Sequence, residues 1–135
     1  MLKKVVTYTD FNGDEQTDTL YFNVSVPEAT RMRAKFGGDD MEKNIKNIVE
    51  SGKESDILEL FEEIVLNAYG EKSEDGKSFL KTPAIKEKFE YSQAYAEVFE
   101  ELLTNEAALQ KFVEGVISKK PGANPVLSKF QPTNN

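Results

Sequence analysis

DILELFEEIVLNAYG (56–70), EKSEDGKSFLK (71–81) and TPAIKEKFEYSQAYAEVFEELLTN (82–105) together decide the architecture of this 135-residue chain. The first and third pieces repeat apolar residues at helical spacing, and the second is a polar link carrying the turn dipeptide Asp75-Gly76. In the third piece Thr82 is suited to the N-cap and Pro83 to the first helical position, so the spacing predicts one helix over 83–104. On an ideal helix Ile85, Phe89, Ser92, Ala96, Phe99 and Leu103 fall on one line, and Tyr91, Tyr95, Val98 and Leu102 on a second. Lys86, Glu87, Glu90, Glu97, Glu100 and Glu101 take the remaining side. The apolar arc then covers about half of the circumference, wider than the roughly 100° stripe that one contact needs. Such a helix packs on two sides, or keeps one line for a partner.

Working toward the N-terminus, Ile57, Leu60, Phe61, Ile64 and Ala68 align on a helix that Tyr69-Gly70 closes. Three S/T/D-x-x-E spacings, Ser25–Glu28, Asp39–Glu42 and Asp56–Glu59, predict three helix starts, and Gly37-Gly38 and Ser51-Gly52 predict the intervening stops. Residues 2–11 and 16–24 are rich in β-branched and aromatic types and flank Asn12-Gly13, a strong hairpin signal. A two-residue turn there would set Val5 opposite Leu20 and Lys3 opposite Phe22, with Val6, Tyr8 and Tyr21 on the other face. Apolar side chains on both faces and an unpaired strand edge predict a homo-oligomer with Tyr8 or Tyr21 near the interface. Toward the C-terminus, Leu109, Phe112, Val113, Val116 and Ile117 mark a last helix over 106–118. The expected fold class is α+β: an N-terminal antiparallel β-hairpin (2–24) and about five α-helices (26–118) in one domain, 1–118. The Pro- and Asn-rich 119–135 reads as a flexible C-terminal tail.

Composition narrows the function. With 24 acidic against 17 basic residues the net charge is −7, which disfavours nucleic acid and anionic membranes as partners. The sequence has no Cys and no His, so it lacks a thiol nucleophile, the commonest general base near neutral pH and the commonest metal ligand. Asp39-Asp40 and Ser73-Glu74-Asp75-Gly76 lack calcium-loop ligand spacing and read as a cap and a turn. Glu62-Glu63 and Glu100-Glu101 are adjacent on helices and point about 100° apart, so neither pair converges on a substrate. Gly37-Gly38 lacks the lysine of a phosphate loop. No apolar run approaches membrane-spanning length, and MLKKVVTYTD lacks a signal-peptide core, so a cytoplasmic setting is expected. These residues describe an acidic interaction module, not an enzyme, with no cofactor and no metal. Core packing and a partner-facing ridge both remain open for the aromatic set Tyr91, Tyr95 and Phe99.

Two longer stretches carry a resemblance. VTYTDFNGDEQTDTLYFNVS (6–25) resembles the opening of tail assembly chaperones of long-tailed phages and prophages, mainly of Gram-positive hosts. The stretch 60–117 is similar to the helical body of that family, above all at Tyr69-Gly70, Ser73-Glu74-Asp75-Gly76, Phe79 and Thr82-Pro83. The resemblance implies a protein that binds and solubilises the tape measure protein, helps recruit tail tube protein, works in the host cytoplasm and is absent from the mature virion. In many such proteins a longer form arises by ribosomal slippage near the end of the helical body, for which Lys119-Lys120 is the candidate position here. The family has no catalytic residues to carry over, so the proposed partner-binding line Tyr91, Tyr95, Val98 and Leu102 rests on helix geometry alone. The other reading is a structural virion component, such as a tail-completion or connector protein.

Overall fold

A computed structural model describes residues 1–117; the expectations for 118–135 lie outside these residues. Strands β1 (Leu2–Thr9) and β2 (Glu15–Phe22) form the N-terminal antiparallel hairpin. Helices α1 (Val26–Lys35), α2 (Met41–Ser51) and α3 (Glu54–Phe61) follow, and α3 runs on into a π turn over Glu62–Leu66. A short second hairpin, β3 (Tyr69–Lys72) and β4 (Phe79–Leu80), precedes α4 (Pro83–Glu90), α5 (Gln93–Thr104) and α6 (Glu106–Ile117). The α+β class holds: the described residues form a four-stranded sheet in the order β1-β2-β3-β4 and six α-helices.

The first hairpin departs from the expected register by one residue. Leu2 pairs with Phe22 and Lys4 with Leu20, because the turn spans Asp10–Asp14 instead of Asn12-Gly13 alone. The Asp10 carboxylate accepts the backbone N–H groups of Asn12 and Asp14, both at 2.9 Å, and the Asp14 carbonyl accepts the Asp10 N–H at 2.8 Å. This side-chain-closed loop takes the place of a type I′ turn, which needs positive φ at both central residues; here Gly13 alone has it, at 86°. A slip of one residue turns one strand over relative to its neighbour. Tyr8 therefore shares the core-facing side with Val6, Leu20 and Phe22, while Tyr21 points to the opposite face under the Lys72 ammonium, 4.6 Å from its ring centre. The Tyr8 hydroxyl donates to the Asp18 carboxylate; that bond, with some burial, pushes the phenol up to about 12.

Of the three expected capping boxes only Ser25–Glu28 forms. The Ser25 hydroxyl accepts the Glu28 N–H at 3.3 Å and the Glu28 carboxylate accepts the Ser25 N–H at 2.9 Å. Asp40 occupies the α2 N-cap position without a side-chain bond, and α3 starts two residues before Asp56, on Lys53 as cap. Desolvation pushes the Glu28 carboxyl up, but the Ser25 N–H and the Lys81 ammonium at 3.1 Å outweigh it and hold it below its ordinary 4.5. A carboxyl lowered by folding stabilises fully above its unfolded value and loses that contribution as pH falls through the folded value. Urea midpoints measured down an acid series should therefore fall less steeply below pH 4.5 for Glu28→Gln than for the natural chain.

The predicted 83–104 helix is two helices. Tyr91 ends α4, and Ser92 takes extended backbone angles (φ −91°, ψ 157°) as the N-cap of α5. Its hydroxyl donates to the Phe89 carbonyl at 2.7 Å and accepts the Tyr95 N–H at 3.2 Å, so one serine closes one helix and opens the next. Asn105 repeats the device before α6, its side-chain oxygen accepting the Ala108 N–H at 3.1 Å. The two halves consequently bury different phases: Phe89 in α4, then Ala94, Val98 and Leu102 in α5. The core centres on Phe22, fully buried, whose ring meets those of Tyr69, Phe89 and Phe112 edge-on at 5.8, 5.9 and 5.0 Å. Lys4 ties β1 to α5 through Glu101 at 2.6 Å.

Candidate functional site: an apolar groove beside helix α5

The proposed line on the expected long helix divides into core and surface. Val98 and Leu102 are sealed, 0% and 1% exposed, whereas Tyr91 is 73% exposed and Tyr95 is half-buried. The four therefore make no surface stripe, because the break at Ser92 rotates α5 so that Ala94, Val98 and Leu102 face inward. The accessible strip of α5 is Tyr95, Phe99 and Leu103, spaced four residues apart and each half-buried, with Tyr91 just ahead of it. Phe99 and Leu103 belong to the other line of the expected helix, the one that begins at Ile85 and Phe89. Helical spacing alone supplied no signal to choose between adjacent lines; the extended Ser92 chose.

Tyr95 is held by rings on both sides, its centroid 5.2 Å from Phe89 and 6.1 Å from Phe99, and Phe99 in turn lies 4.5 Å from Phe61. Burial, with the Glu90 and Glu62 carboxylates nearby, pushes the Tyr95 phenol up to about 12, so it stays a neutral hydrogen-bond donor. At its Leu103 end the strip enters a groove of about 580 Å³ between α2 and the α5–α6 corner. Its apolar lining comes from Ile45 and Val49 of α2, Leu102 and Leu103 of α5, and Leu109 and Val113 of α6. Charged residues of α2 and α6 stand along the rim, and Lys46 reaches across to Glu106 at 3.3 Å. Both partners of that ion pair are more than half exposed, so it contributes about 0–1 kcal/mol and offers little resistance to opening. The volume suits the side chains on one face of a helix, and apolar walls with a charged rim are the features of helix-in-groove recognition.

Tyr8 and Tyr21, the residues expected near a self-association surface, lie on opposite faces of the sheet. The expected free edge is half covered: β3 pairs with β2 at Tyr21 and Phe22, and the Asn23 N–H reaches the Ala68 carbonyl at 2.9 Å. β1 stands at the other edge of the sheet. Among the described residues no group of three or more His, Cys, Asp or Glu is placed to hold a metal ion, and no helix is long and apolar enough to cross a membrane.

An α+β fold with an apolar groove between helices has the architecture of a binding module. A family model described as phage tail assembly chaperone matches residues 1–121, and the chain belongs to that family. Membership gives it a role in tail assembly among tail proteins, and suggests a protein that works without catalysis. No curated protein and no solved structure matches the chain.

Proposed function

We propose that this chain binds and solubilises the tape measure protein, helps recruit tail tube protein to it in the host cytoplasm, and leaves before the virion is mature. Family membership supports the setting, and the groove beside α5 is the observation that carries the reading. A long helical partner with apolar stripes aggregates unless those stripes are covered. Tyr91, Tyr95 and Leu103, leading into the groove over Leu102, offer such cover; Val98 and Leu102 support the surface from below. Each large apolar side chain withdrawn from water contributes roughly 1.5–3 kcal/mol, so a few contacts per chain suffice to hold a helix. The net charge of −7 keeps the loaded complex in solution.

Co-expression with the tape measure protein tests this. Tyr91→Glu combined with Leu103→Glu should keep the helix content and lower the soluble partner at least tenfold. Asn47→Glu with Gln93→Glu, two exposed positions outside the groove lining, adds the same charge and should leave it unchanged. A folded Tyr91/Leu103 variant that still solubilises its partner would show that the surface is elsewhere. The same reading includes a homo-oligomer, with the β1 edge exposed for pairing and Tyr8 or Tyr21 near the contact. Sedimentation at high concentration should show the assembly, and a monomer there would remove it.

A further inference from the structure

A second cavity, of about 500 Å³, lies where α1, the π turn, the start of β3 and the β4–α4 link meet. In an acidic chain it gathers four cations, Arg31, Lys35, Lys81 and Lys86, against two carboxylates, Glu28 and Glu63. Two of the cations are already neutralised: Lys81 by both Glu28 oxygens at 3.1 and 3.2 Å, and Lys35 by Glu63 at 3.3 Å and Glu59 at 3.4 Å. Lys86 has no such partner among the described residues. Its ammonium donates at 3.0 Å to the neutral side-chain oxygen of Asn67, whose amide donates in turn at 3.2 Å to the Glu63 carbonyl inside the π turn. That relay fixes the lysine's position without cancelling its charge. Arg31, on the next wall, makes no ion pair among the described residues and is exposed. Met32 and Leu66, both buried, give the cavity an apolar floor.

We infer that this cavity is a second docking site, which takes an acidic segment of a partner protein by placing a carboxylate between Arg31 and Lys86 and an adjacent apolar side chain over Met32 and Leu66. Two uncompensated cations facing a partly enclosed space favour an anion, and Arg31 can grip a carboxylate with two parallel hydrogen bonds. The other lining groups decide which anion. Glu28 and Glu63 repel a multiply charged phosphate, yet can accept N–H groups from a peptide backbone. The apolar floor adds nothing to binding of a bare ion, whereas it covers a peptide side chain. The cavity is also closed on several sides by different elements, unlike the open basic stripe that follows a nucleic-acid backbone. The site is independent of the α5 groove, which is lined by other residues.

Calorimetric titration of the full chain with a short amphipathic peptide, Leu on one face and Glu on the other, is the test. Binding is expected, weakening with added salt, and lost with the peptide whose Glu residues are replaced by Lys. Arg31→Glu, an exposed change, should weaken it about tenfold or more, and Lys86→Glu likewise. Lys111→Glu, which changes net charge equally on an exposed position of α6, should leave it within about twofold. Leu103→Glu should also leave it intact, which separates this site from the tape measure groove. Failure of the Glu peptide to bind, an equal loss in Lys111→Glu, or inorganic phosphate displacing the peptide at matched concentration would each overturn the proposal.

Discussion

Phe22→Ala is expected to cost the fold about 3–5 kcal/mol, a large share of the roughly 5–15 kcal/mol that holds an ordinary domain folded. Phe22 is fully buried at the end of β2 and touches rings from β3, α4 and α6. Its removal therefore opens a cavity at the point where the two hairpins meet the C-terminal helices. The neighbouring rings cannot close that cavity cheaply, because Tyr69 and Phe89 are stacked on each other at 3.9 Å. Phe11→Ala, a substitution of the same kind at the exposed hairpin tip, should stay within about 0.5 kcal/mol. Urea unfolding of the two variants beside the natural chain measures the difference. Equal midpoints would mean that the hairpin does not share a core with the helices.

Gly70→Ala is the second large effect, and it acts through too little space. A Cβ at Gly70 would stand 2.5 Å from Phe79 Cε2 and 2.7 Å from the Leu80 carbonyl oxygen. The second contact is with backbone, so no rotation of a side chain relieves it. Overpacking of this kind costs typically about 1–3 kcal/mol. Here the strain falls on the pairing of β3 with both neighbours, since Gly70 pairs with Tyr21 on one side and Glu71 with Leu80 on the other. Amide hydrogen exchange should therefore quicken across Tyr69–Lys72 and at the end of β2, while the β1–β2 pairs near Val6 keep their protection. Unchanged protection at Tyr69–Lys72 would mean that the second hairpin is not packed this closely.

Gly70 also shows where sequence reading stopped short. Tyr69-Gly70 reads as a helix stop, and the helical pattern does end there, but the same residues begin a strand. β3 and β4 have only four and two residues, too few to show an alternation that would identify them. They become strands because the end of β2 presents unpaired backbone groups beside them, a condition set by residues almost fifty positions away along the chain. The basic cavity was invisible for a related reason. Arg31 and Lys35 lie one turn apart on α1, about fifty positions before Lys81 and Lys86, and only the packing of α1 against the π turn and α4 brings the two pairs together.

By itself the sequence determined what depends on near neighbours. The Ser25–Glu28 capping box, the Thr82-Pro83 start and the inward face Ile57, Leu60, Phe61, Ile64 and Ala68 all follow from spacing within a turn or two of helix. It determined the family as well, because the order of these local features is carried along the chain. Tertiary structure decided the questions on which local preference is nearly balanced. Asp10 closing its own loop set the hairpin register and put Tyr8 and Tyr21 on opposite faces. Ser92, which could lie inside a helix or cap one, took the cap; the difference is only about 1 kcal/mol locally, and packing of both halves on the core tips it. That choice placed Val98 and Leu102 inside and left Tyr95, Phe99 and Leu103 on the accessible strip, since a helix restarted one residue out of phase turns a different line of side chains toward the core.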